Sequence, residues 1–490
     1  MALTVYNSLN RCLQPFETLE PGKVRMYCCG VTVYDYCHVG HARSYIAWDT
    51  IRRYLIWRGY QVRYVQNFTD IDDKILNRAR ETGSTMKEVA EKFTQAYFED
   101  MKRLNVLEAD EYPRATHTID GIQRLIHELE KKGLAYSAGG DVYYKVEDFP
   151  EYGKLSGRRL EEMQAGASGR VEVEAGDASK KQNPYDFALW KGAKPGEPAW
   201  ESPWGSGRPG WHIECSAMVR DCFGDTIDIH GGGADLIFPH HENEIAQSEA
   251  VTGKTLAKYW LHNGFVTIDS EKMSKSLGNF ITIRDLLNRP VEPMAVRLFV
   301  LTAQYRKPID FTSEAIASAQ NGWHTLKEGL LFGYQIGDKL GWEKPEAILR
   351  KNRPSNSHVE EFQTAMDDDF NTPGGLAVLF ELAKELRREK NVLFHEGKTA
   401  FPSETLKEKW QTLVDLSKVL GLEATPEEEE TSTESNGLSD GEIESLIEQR
   451  QAARKAKNFA EADRIRNELQ AQGINLIDKP GSATIWHRNS

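Results

Sequence analysis

The chain has 490 residues, 40% of them hydrophobic and 28% charged, six cysteines and a formal net charge of −13. No apolar run reaches the ~20 residues of a membrane span, and six cysteines in so long a chain do not make a disulfide scaffold. The acidic balance argues against a general nucleic-acid binder, so any polyanion must be met by local basic patches.

At ~100–200 residues per domain, two to four domains are expected. The first residues lack the basic-then-apolar layout of a secretory signal and the Arg/Ser-rich character of a transit peptide, so a cytoplasmic protein is expected. In chain order, "KVRMYCCG" (23–30) reads as a buried strand ending in glycine. After a turn, residues 38–59 carry apolar positions at helical spacing. "YQVRYVQNFT" (60–69) alternates like a second strand, and a helix follows with Thr69 or Asp70 as its N-cap. From about 135 to 200 this rhythm fails in a stretch rich in glycine, proline and charge, read as an insertion with small strands and mobile loops. "TIDIHGGGADL" (226–236) resumes strand then glycine turn, a helix runs from His240, and "YWLHNGFVTID" (259–269) supplies more strand. Beyond about Ile281 helical periodicity dominates. Residues 423–442 are acidic and poor in apolar side chains, which marks a linker. One or two amphipathic helices (443–472) and a hairpin turning at Pro480-Gly481 close the chain. The expected fold class is α/β: a doubly wound Rossmann-type parallel sheet split by an insertion, then an α-helical bundle and a small mixed α+β C-terminal module.

Three stretches carry candidate chemistry. "HVGH" (His38 to His41) lies between strand and helix, where free N–H groups and the helix dipole favour an anion; the plain alternative is a helix start after a tight turn. "KMSKS" (Lys272 to Ser276) offers two ammonium groups and two hydroxyls to a polyphosphate, or is an exposed polar loop. "FPHHENEIAQ" (238–247) puts His240 and Glu244 on one helix face. That face can be solvated, can do acid/base work, or can be half of a metal site. Cys29, at the end of the first strand, and Cys215, at a loop-to-helix junction, are candidate partners, because strand ends and the loops beyond them converge on one crevice in such a fold. Cys, Cys, His and Glu make a plausible four-ligand zinc set.

"HVGH" and "KMSKS", in that order on either side of a split sheet, resemble the signatures H-I-G-H and K-M-S-K-S of class I aminoacyl-tRNA synthetases, with Val39 in place of Ile. The segments "YCCGVTVYDYCHVGHAR", "NFTDIDDKI", "PRATHTI", "GRPGWHIECSAM", "DIHGGGADLIFPHHENEIAQ", "EKMSKSLGNF" and "AMDDDFNTP" are similar to the cysteinyl-tRNA synthetases within that class. The resemblance implies that His38 and His41 contact ATP phosphates and that Lys272 and Lys275 stabilise the transition state and the departing pyrophosphate. It implies one zinc on Cys29, Cys215, His240 and Glu244 that recognises the substrate thiolate, or else a purely structural zinc. Cys28, on the opposite strand face from Cys29, is expected in the core. His241, Glu242 and Asn243 are expected around the ligands or at the surface. Gly231, Gly232 and Gly233 would let backbone approach the adenosine, and Asp235 would hold the substrate ammonium. Thr32 and Thr69 are hydroxyl contacts, Thr69 equally a helix cap. Trp211 is a pocket wall or a core residue. Asp70, Asp72 and Asp73 are read as helix-start carboxylates favoured by the dipole.

The implied substrates are cysteine, ATP with Mg2+, and tRNA(Cys), with the chain acting as a monomer. The expected division is 1–134 and 201–265 as two halves of the catalytic sheet, 135–200 as the insertion, 266–320 as a signature-loop and stem-contact region, 321–422 as a tRNA-binding bundle, 423–441 as a linker and 442–490 as an anticodon-binding module. In that last module Arg450, Arg454, Lys455, Lys457, Arg464, Arg466, Lys479 and Arg488 nearly balance the acids, and Trp486 offers a stacking ring. Two alternatives remain at this point: a ligase joining cysteine to an amino-sugar with the same catalytic half, and a catalytically inactive zinc- and RNA-binding regulator.

Overall fold

The computed structural model describes residues 2–160, 180–273, 278–349, 354–426, 440–456, 458–477 and 485–488. They form two units, Met1–Ala424 and Thr425–Ser490. Among the described residues no helix is long and apolar enough to cross a membrane.

The first unit opens with a hairpin that the sequence reading missed, β1 (Thr4–Asn7) against β2 (Cys12–Pro15). Next come β3 (Lys23–Cys28), α1 (Val39–Trp57), β4 (Gln61–Gln66), α2 (Asp73–Thr82), α3 (Met86–Arg103) and α4 (Ile119–Lys131). The N-cap of α2 is Asp72, whose carboxylate accepts the Lys74 N–H at 2.8 Å, and not Thr69 or Asp70. Asp70 instead accepts from the backbone and hydroxyl of Thr116 at 3.0 and 2.6 Å. Of the three expected helix-start carboxylates, then, only Asp72 and Asp73 serve α2.

The insertion is a four-stranded antiparallel sheet in sequential order: β5 (Ala135–Ala138), β6 (Asp141–Tyr144), β7 (Phe187–Gly192) and β8 (Gly207–Pro209). After α5 (Trp211–Phe223) come β9 (Ile227–Gly233), α6 (Glu242–Thr252) and β10 (Ala257–Asn263). The central sheet has the order β10-β9-β3-β4, all parallel. Its inner strands are β3 and β9, and β9 is buried from Ile227 to Gly232 although it carries Asp228 and His230. The expected doubly wound parallel sheet is present. The chain leaves β3 toward β4 on one side and returns to β9 on the other. Ligands bind at such a reversal, beyond the carboxyl ends of the strands, and here that means Cys29, Gly30 and Gly231–Gly233.

Backbones are tightly packed at this point. The Gly30 N–H donates to Asn67 Oδ1 at 2.8 Å, and a Cβ at Gly30 would fall 1.6 Å from the Asn67 carbonyl oxygen. Gly30→Ala is therefore expected to destabilise by about 3 kcal/mol, the upper end of ordinary overpacking costs, read as a lower urea midpoint with unchanged slope.

Beyond the sheet, β11 (Val266–Ile268) pairs with β12 (Glu271–Lys272) and later with β13 (Ile309–Phe311); α7 (Ile283–Leu287) and α8 (Pro293–Leu301) lie between. The bundle comprises α9 (Ser313–Ile336), α10 (Pro345–Leu349), α11 (Ser357–Asp367), α12 (Thr372–Glu396) and α13 (Ser403–Val419). It is tied to the sheet by Arg297, a fully buried guanidinium that donates to the carbonyls of Leu420, Leu104 and Asn105 at 2.6, 3.0 and 2.9 Å and pairs with Asp49. "AMDDDF" does similar work: Asp367 pairs with Arg58, and Asp369 accepts from Tyr6 N, Tyr305 Oη and Arg306 Nε.

The second unit packs α14 (Asp440–Lys455) against α15 (Phe459–Ala471), with a hairpin of β14 (Ile474–Ile477) and β15 (Ile485–Arg488), around Ile443, Ile447, Ile465, Leu469 and Ile474. The expected hairpin exists, but its Pro480-Gly481 turn, Lys457, Lys479 and the side chains of Trp486 and Arg488 lie outside the described residues, as does most of the acidic linker. Arg450 is buried, and Arg464 is held by Glu461 and Glu468 at 2.7 and 2.8 Å. Neither therefore presents an unpartnered charge to solvent.

Candidate active site and metal centre

Cys29 lies one residue past β3. Cys215 is not at a loop-to-helix junction but in the second turn of α5, and His240 sits in a short segment (Ile237–His241), broken by extended backbone at Phe238, that precedes α6. The expected helix from His240 thus begins at Glu242, and Glu244 lies in its first turn. The donor atoms of Cys29, Cys215, His240 and Glu244 all lie within 4.8 Å of one another. A tetrahedral metal with Zn–S of ~2.3 Å and Zn–O of ~2.1 Å separates two sulfurs by about 3.8 Å and sulfur from oxygen by about 3.6 Å. Cys29 Sγ stands 3.8 Å from Cys215 Sγ and 3.5 Å from Glu244 Oε1. His240 Nε2 and Glu244 Oε1 are 3.0 Å apart, a hydrogen-bond separation that opens by about 0.3 Å to admit a metal. The donor set fits zinc in chemistry and in spacing.

The electrostatics agree with a cation-binding role. The hydrogen bond from Cys29 is the main influence lowering the Cys215 thiol to about 6, against its burial. Burial alone would hold His240 neutral, but the Glu244 carboxylate and Cys215 outweigh it and raise the imidazole to about 10. Glu244 resists burial because His230 and His240 face it, and it stays well below the usual carboxylate range. Burial pushes the Cys29 thiol up.

Around these four stands a shell of histidines, of which the sequence pointed to His241 and not to His212, His230 or His262. His230 Nε2 lies 2.9 Å from Glu244 Oε2, and Trp260 stacks on its ring at 4.4 Å. His241 Nε2 lies 3.4 Å from Cys29 Sγ while its Nδ1 meets His262 Nε2 at 2.8 Å. His212 Nδ1 is 3.0 Å from His240 Nδ1. Cys29, His230, His241 and Glu244 form a second possible donor set. Its histidines are committed to orienting Glu244 and packing on Cys29, the work that partners of metal ligands do. His230 lies in the middle of β9 and His262 next to the end of β10.

None of His241, Glu242 and Asn243 reaches the surface: all three are buried. Glu242 accepts the Leu155 and Ser156 N–H groups at 3.4 and 2.7 Å, and Asn243 Oδ1 accepts from Tyr152 Oη. The polar face of α6 is polar because the insertion hydrogen-bonds it, not because water does.

"HVGH" starts α1. His38 is its N-cap: Nδ1 accepts the Gly40 N–H at 3.1 Å, and His41 Nδ1 accepts the His38 N–H at 3.2 Å, a reciprocal capping box. The two rings stack at 3.7 Å. Because each Nδ1 accepts, each neutral ring carries its proton on Nε2. The segment after "KMSKS" is laced to this start: the Val39 N–H donates to the Ile281 carbonyl at 3.1 Å and the Ile283 N–H to the Cys37 carbonyl at 2.8 Å. Phe280 meets the His38 ring edge-on at 5.3 Å. Lys272 is exposed at the end of β12; Lys275 lies outside the described residues.

The other expected residues divide. Trp211 stacks on the candidate ligand His240 at 4.3 Å. The Thr69 hydroxyl donates to the buried Glu214 at 3.3 Å, and its backbone bridges to Thr32. Cys28 is buried on the opposite face from Cys29, in the other core cluster. A Cβ at Gly231 would fall 2.7 Å from Cys28 Sγ, and one at Gly232 would fall 2.7 Å from the His241 ring, so packing already demands both glycines. Gly233 opens toward Asp235, which is exposed.

Comparison with known proteins follows this geometry. A family model for the class I (C) tRNA synthetase catalytic domain matches residues 15–321, a DALR domain model 361–425 and a cysteinyl-tRNA ligase anticodon-binding domain model 436–484. A protein of Trichodesmium erythraeum named cysteine–tRNA ligase is 74% identical over 490 residues, all of both chains. Proteins of the same name from Trichormus variabilis and Synechocystis are 69% and 64% identical, again over the whole of both chains. Among solved structures, Mycobacterium tuberculosis methionyl-tRNA synthetase in complex with methionyl-adenylate is similar at a TM-score of 0.56 and 17% identity, covering 82% of this chain and 90% of that one. A putative arginyl-tRNA synthetase from Campylobacter jejuni is similar at 0.53 and 15%, covering 84% and 94%. At such identities the likeness is one of fold.

Proposed function

The chain belongs to the cysteine–tRNA ligase family of class I aminoacyl-tRNA synthetases, and from that premise we propose how its residues share the work. It is an enzyme that activates L-cysteine with ATP, giving cysteinyl-adenylate and pyrophosphate, and passes the cysteinyl group to the 3′ end of tRNA(Cys). The substrate carboxylate attacks the α-phosphorus and pyrophosphate leaves. No protein nucleophile is needed, so the protein supplies position and charge.

In this reading His38 and His41 donate from Nε2 to phosphate oxygens at the start of α1, where the helix dipole favours the same charge. Lys272 and Lys275 stabilise the charge that builds on the departing pyrophosphate, with Mg2+ accompanying ATP. Gly231, Gly232 and Gly233 edge the adenosine, Asp235 takes the substrate ammonium, Thr32 and Thr69 line the crevice, and Trp211 walls it. Cys29, Cys215, His240 and Glu244 hold one zinc, and His230 fixes the orientation of Glu244. Zinc supplies, when bound, a soft acid that takes a thiolate readily and an alcohol poorly, which gives a cysteine-over-serine choice that an apolar pocket cannot give. We assign residues 1–134 and 201–265 to the catalytic sheet, 135–200 to the insertion, 266–320 to stem contact, 321–422 to tRNA binding, 423–441 to the linker and 442–490 to the anticodon, in a cytoplasmic monomer.

One observation supports this reading above the others: two buried thiols, an imidazole and a carboxylate converge at the reversal of the sheet. Transfer to an amino-sugar is disfavoured, because the C-terminal unit matches an anticodon-binding domain. The deciding experiment is cysteine-dependent ATP–pyrophosphate exchange followed by charging of tRNA(Cys), with and without removal of zinc by a chelator. Both activities are expected with zinc. Exchange without charging would move the reading to another acceptor, and absence of exchange would end it.

A further inference from the structure

Lys272 stands at the end of a hairpin whose turn has a disfavoured backbone. β11 and β12 pair Thr267 with Lys272 and Ile268 with Glu271, so Asp269 and Ser270 alone make the connection. Both have positive φ, 49° and 66°. That is the sign pattern of a type I′ turn, which matches hairpin twist and is ordinarily built from Asn-Gly or Gly-Gly. A residue with a Cβ is disfavoured in this left-handed region, Ser more than Asp. Both residues are exposed, so burial does not hold them there.

The turn is held instead by a carboxylate. Asp310 of β13 lies opposite Thr267 in the parallel β11–β13 pair. Its Oδ1 accepts the Thr267 hydroxyl at 2.7 Å and the Ser270 N–H at 2.8 Å, and its Oδ2 accepts the Ser270 hydroxyl at 3.0 Å. These donors, the Thr267 hydroxyl first, hold the Asp310 carboxyl below the usual carboxylate range. The Asp269 N–H adds a bond to the Phe311 carbonyl at 3.2 Å.

Lys272, Thr267 and Asp310 are in register across the three strands, so their side chains leave the same face of this small sheet. The chain around Lys272 is also tied to the start of α1. The Asn279 amide donates to the Lys272 carbonyl at 3.2 Å. The Met273 methyl lies beside Gly40 of "HVGH", 3.7 Å from where a Cβ there would stand. A long, flexible side chain delivers its charge to one place only if its Cα is fixed, and here a two-residue turn fixes it.

We propose that Asp310 is a positioning residue for adenylate formation: it holds the Asp269–Ser270 turn in its left-handed conformation and so sets Lys272 toward the departing pyrophosphate. The inference rests on the ligase reading above, in which Lys272 stabilises that charge. Asp310 acts through the backbone of the turn and not on substrate.

The test is cysteine-dependent ATP–pyrophosphate exchange by the full chain, with thermal melting alongside. It compares the wild type with D310A, D310N, K272A, D310A/K272A and D310A/D269N/S270G. In the last of these an Asn-Gly turn takes positive φ without help from a carboxylate. Asp310 is partly exposed, so D310A leaves a chain that folds. D310A is expected to lower kcat by about 10- to 100-fold, the scale of a misplacement of about 1 Å, with KM for cysteine and melting midpoint close to wild type. D310N keeps one acceptor and should lose less. D310A/K272A should be no slower than K272A, because the two residues act as one unit. The Asn-Gly variant should recover most of the rate. A D310A enzyme as fast as wild type, while K272A is slow, overturns this inference alone. A D310A loss just as large in the K272A background overturns it too, because Asp310 would then act apart from the lysine. So does a loss that the Asn-Gly turn leaves in place, because Asp310 would then act apart from the turn. A wild type without exchange, or a K272A enzyme of full activity, removes the reading on which the inference rests.

Discussion

Cys215→Ser is expected to yield a folded chain without zinc whose cysteine-dependent exchange is about 10²–10³-fold slower, a loss of several kcal/mol of the kind a bound Lewis acid supplies. The thiol sits in the second turn of α5 and is the donor already biased toward thiolate, at about 6, by the hydrogen bond from Cys29. Serine nearly preserves the volume, so the buried packing around α5 survives. Its hydroxyl is a hard, weakly acidic donor and does not replace a thiolate on zinc. His240 and Glu244 then keep their hydrogen bond at 3.0 Å with one sulfur fewer facing them. Zinc content by metal analysis, cysteine binding by equilibrium dialysis and exchange with cysteine and with serine give four independent readings. Zinc and cysteine binding should fall together, and the preference for cysteine over serine should narrow. Normal cysteine binding in a zinc-free variant would make the metal structural and leave substrate recognition to the walls of the crevice, Trp211 first among them.

Three of the four candidate metal donors were legible because each obeys a local rule. Cys29 stands directly before a glycine at a strand end, and His240 and Glu244 are four apart. Cys215 was proposed from its place at a loop-to-helix junction, whereas the structure puts it in the second turn of α5. What local rules missed was everything set by tertiary contact. His230 and His262 are ordinary strand residues until β9 and β10 lie side by side and α6 crosses their ends. "HHENE" reads as a solvated face because periodicity cannot know that residues 150–159 will hydrogen-bond it. The N-cap of α2 was misplaced by two or three residues because Thr69, Asp70 and Asp72 are all good caps, and Thr116 takes Asp70 away from the competition. Gly231 and Gly232 were read as letting backbone approach a ligand, and packing against Cys28, Trp48 and His241 demands glycine at both positions as well. The parallel, doubly wound sheet followed from the strand–helix rhythm; its order did not, because β3 is central only once β9 returns to its other edge. The N-terminal hairpin did not, because four-residue strands with mixed exposure leave no periodic trace.

His38→Asn and His41→Asn are each expected to lower the rate of cysteine-dependent exchange by about 10²–10³-fold, the cost of one donor aimed at transition-state charge, while leaving thermal stability close to that of the parent. The argument turns on which nitrogen does what. Each imidazole spends Nδ1 on a backbone N–H, Gly40 for His38 and His38 for His41, at 3.1 and 3.2 Å. The asparagine side-chain oxygen can reproduce that acceptor, and asparagine is among the best N-caps. It cannot reproduce the Nε2–H that the fixed tautomer presents beyond the helix start. Asparagine thus separates the capping role, worth about 1 kcal/mol, from the catalytic one. Gln at position 38 does the reverse: its longer amide can reach toward the Nε2 position while the cap is lost, so it should melt earlier and lose less rate. Because the donors act on charge that grows during the reaction, kcat should fall more than KM for ATP rises. Full exchange activity in either asparagine variant would confine these histidines to holding the helix. The loss should also be shared with Lys272. The Val39–Ile281 and Ile283–Cys37 hydrogen bonds make the start of α1 and the end of the lysine-bearing segment one backbone unit, so a double variant of His41 and Lys272 should cost less than the sum of its parts.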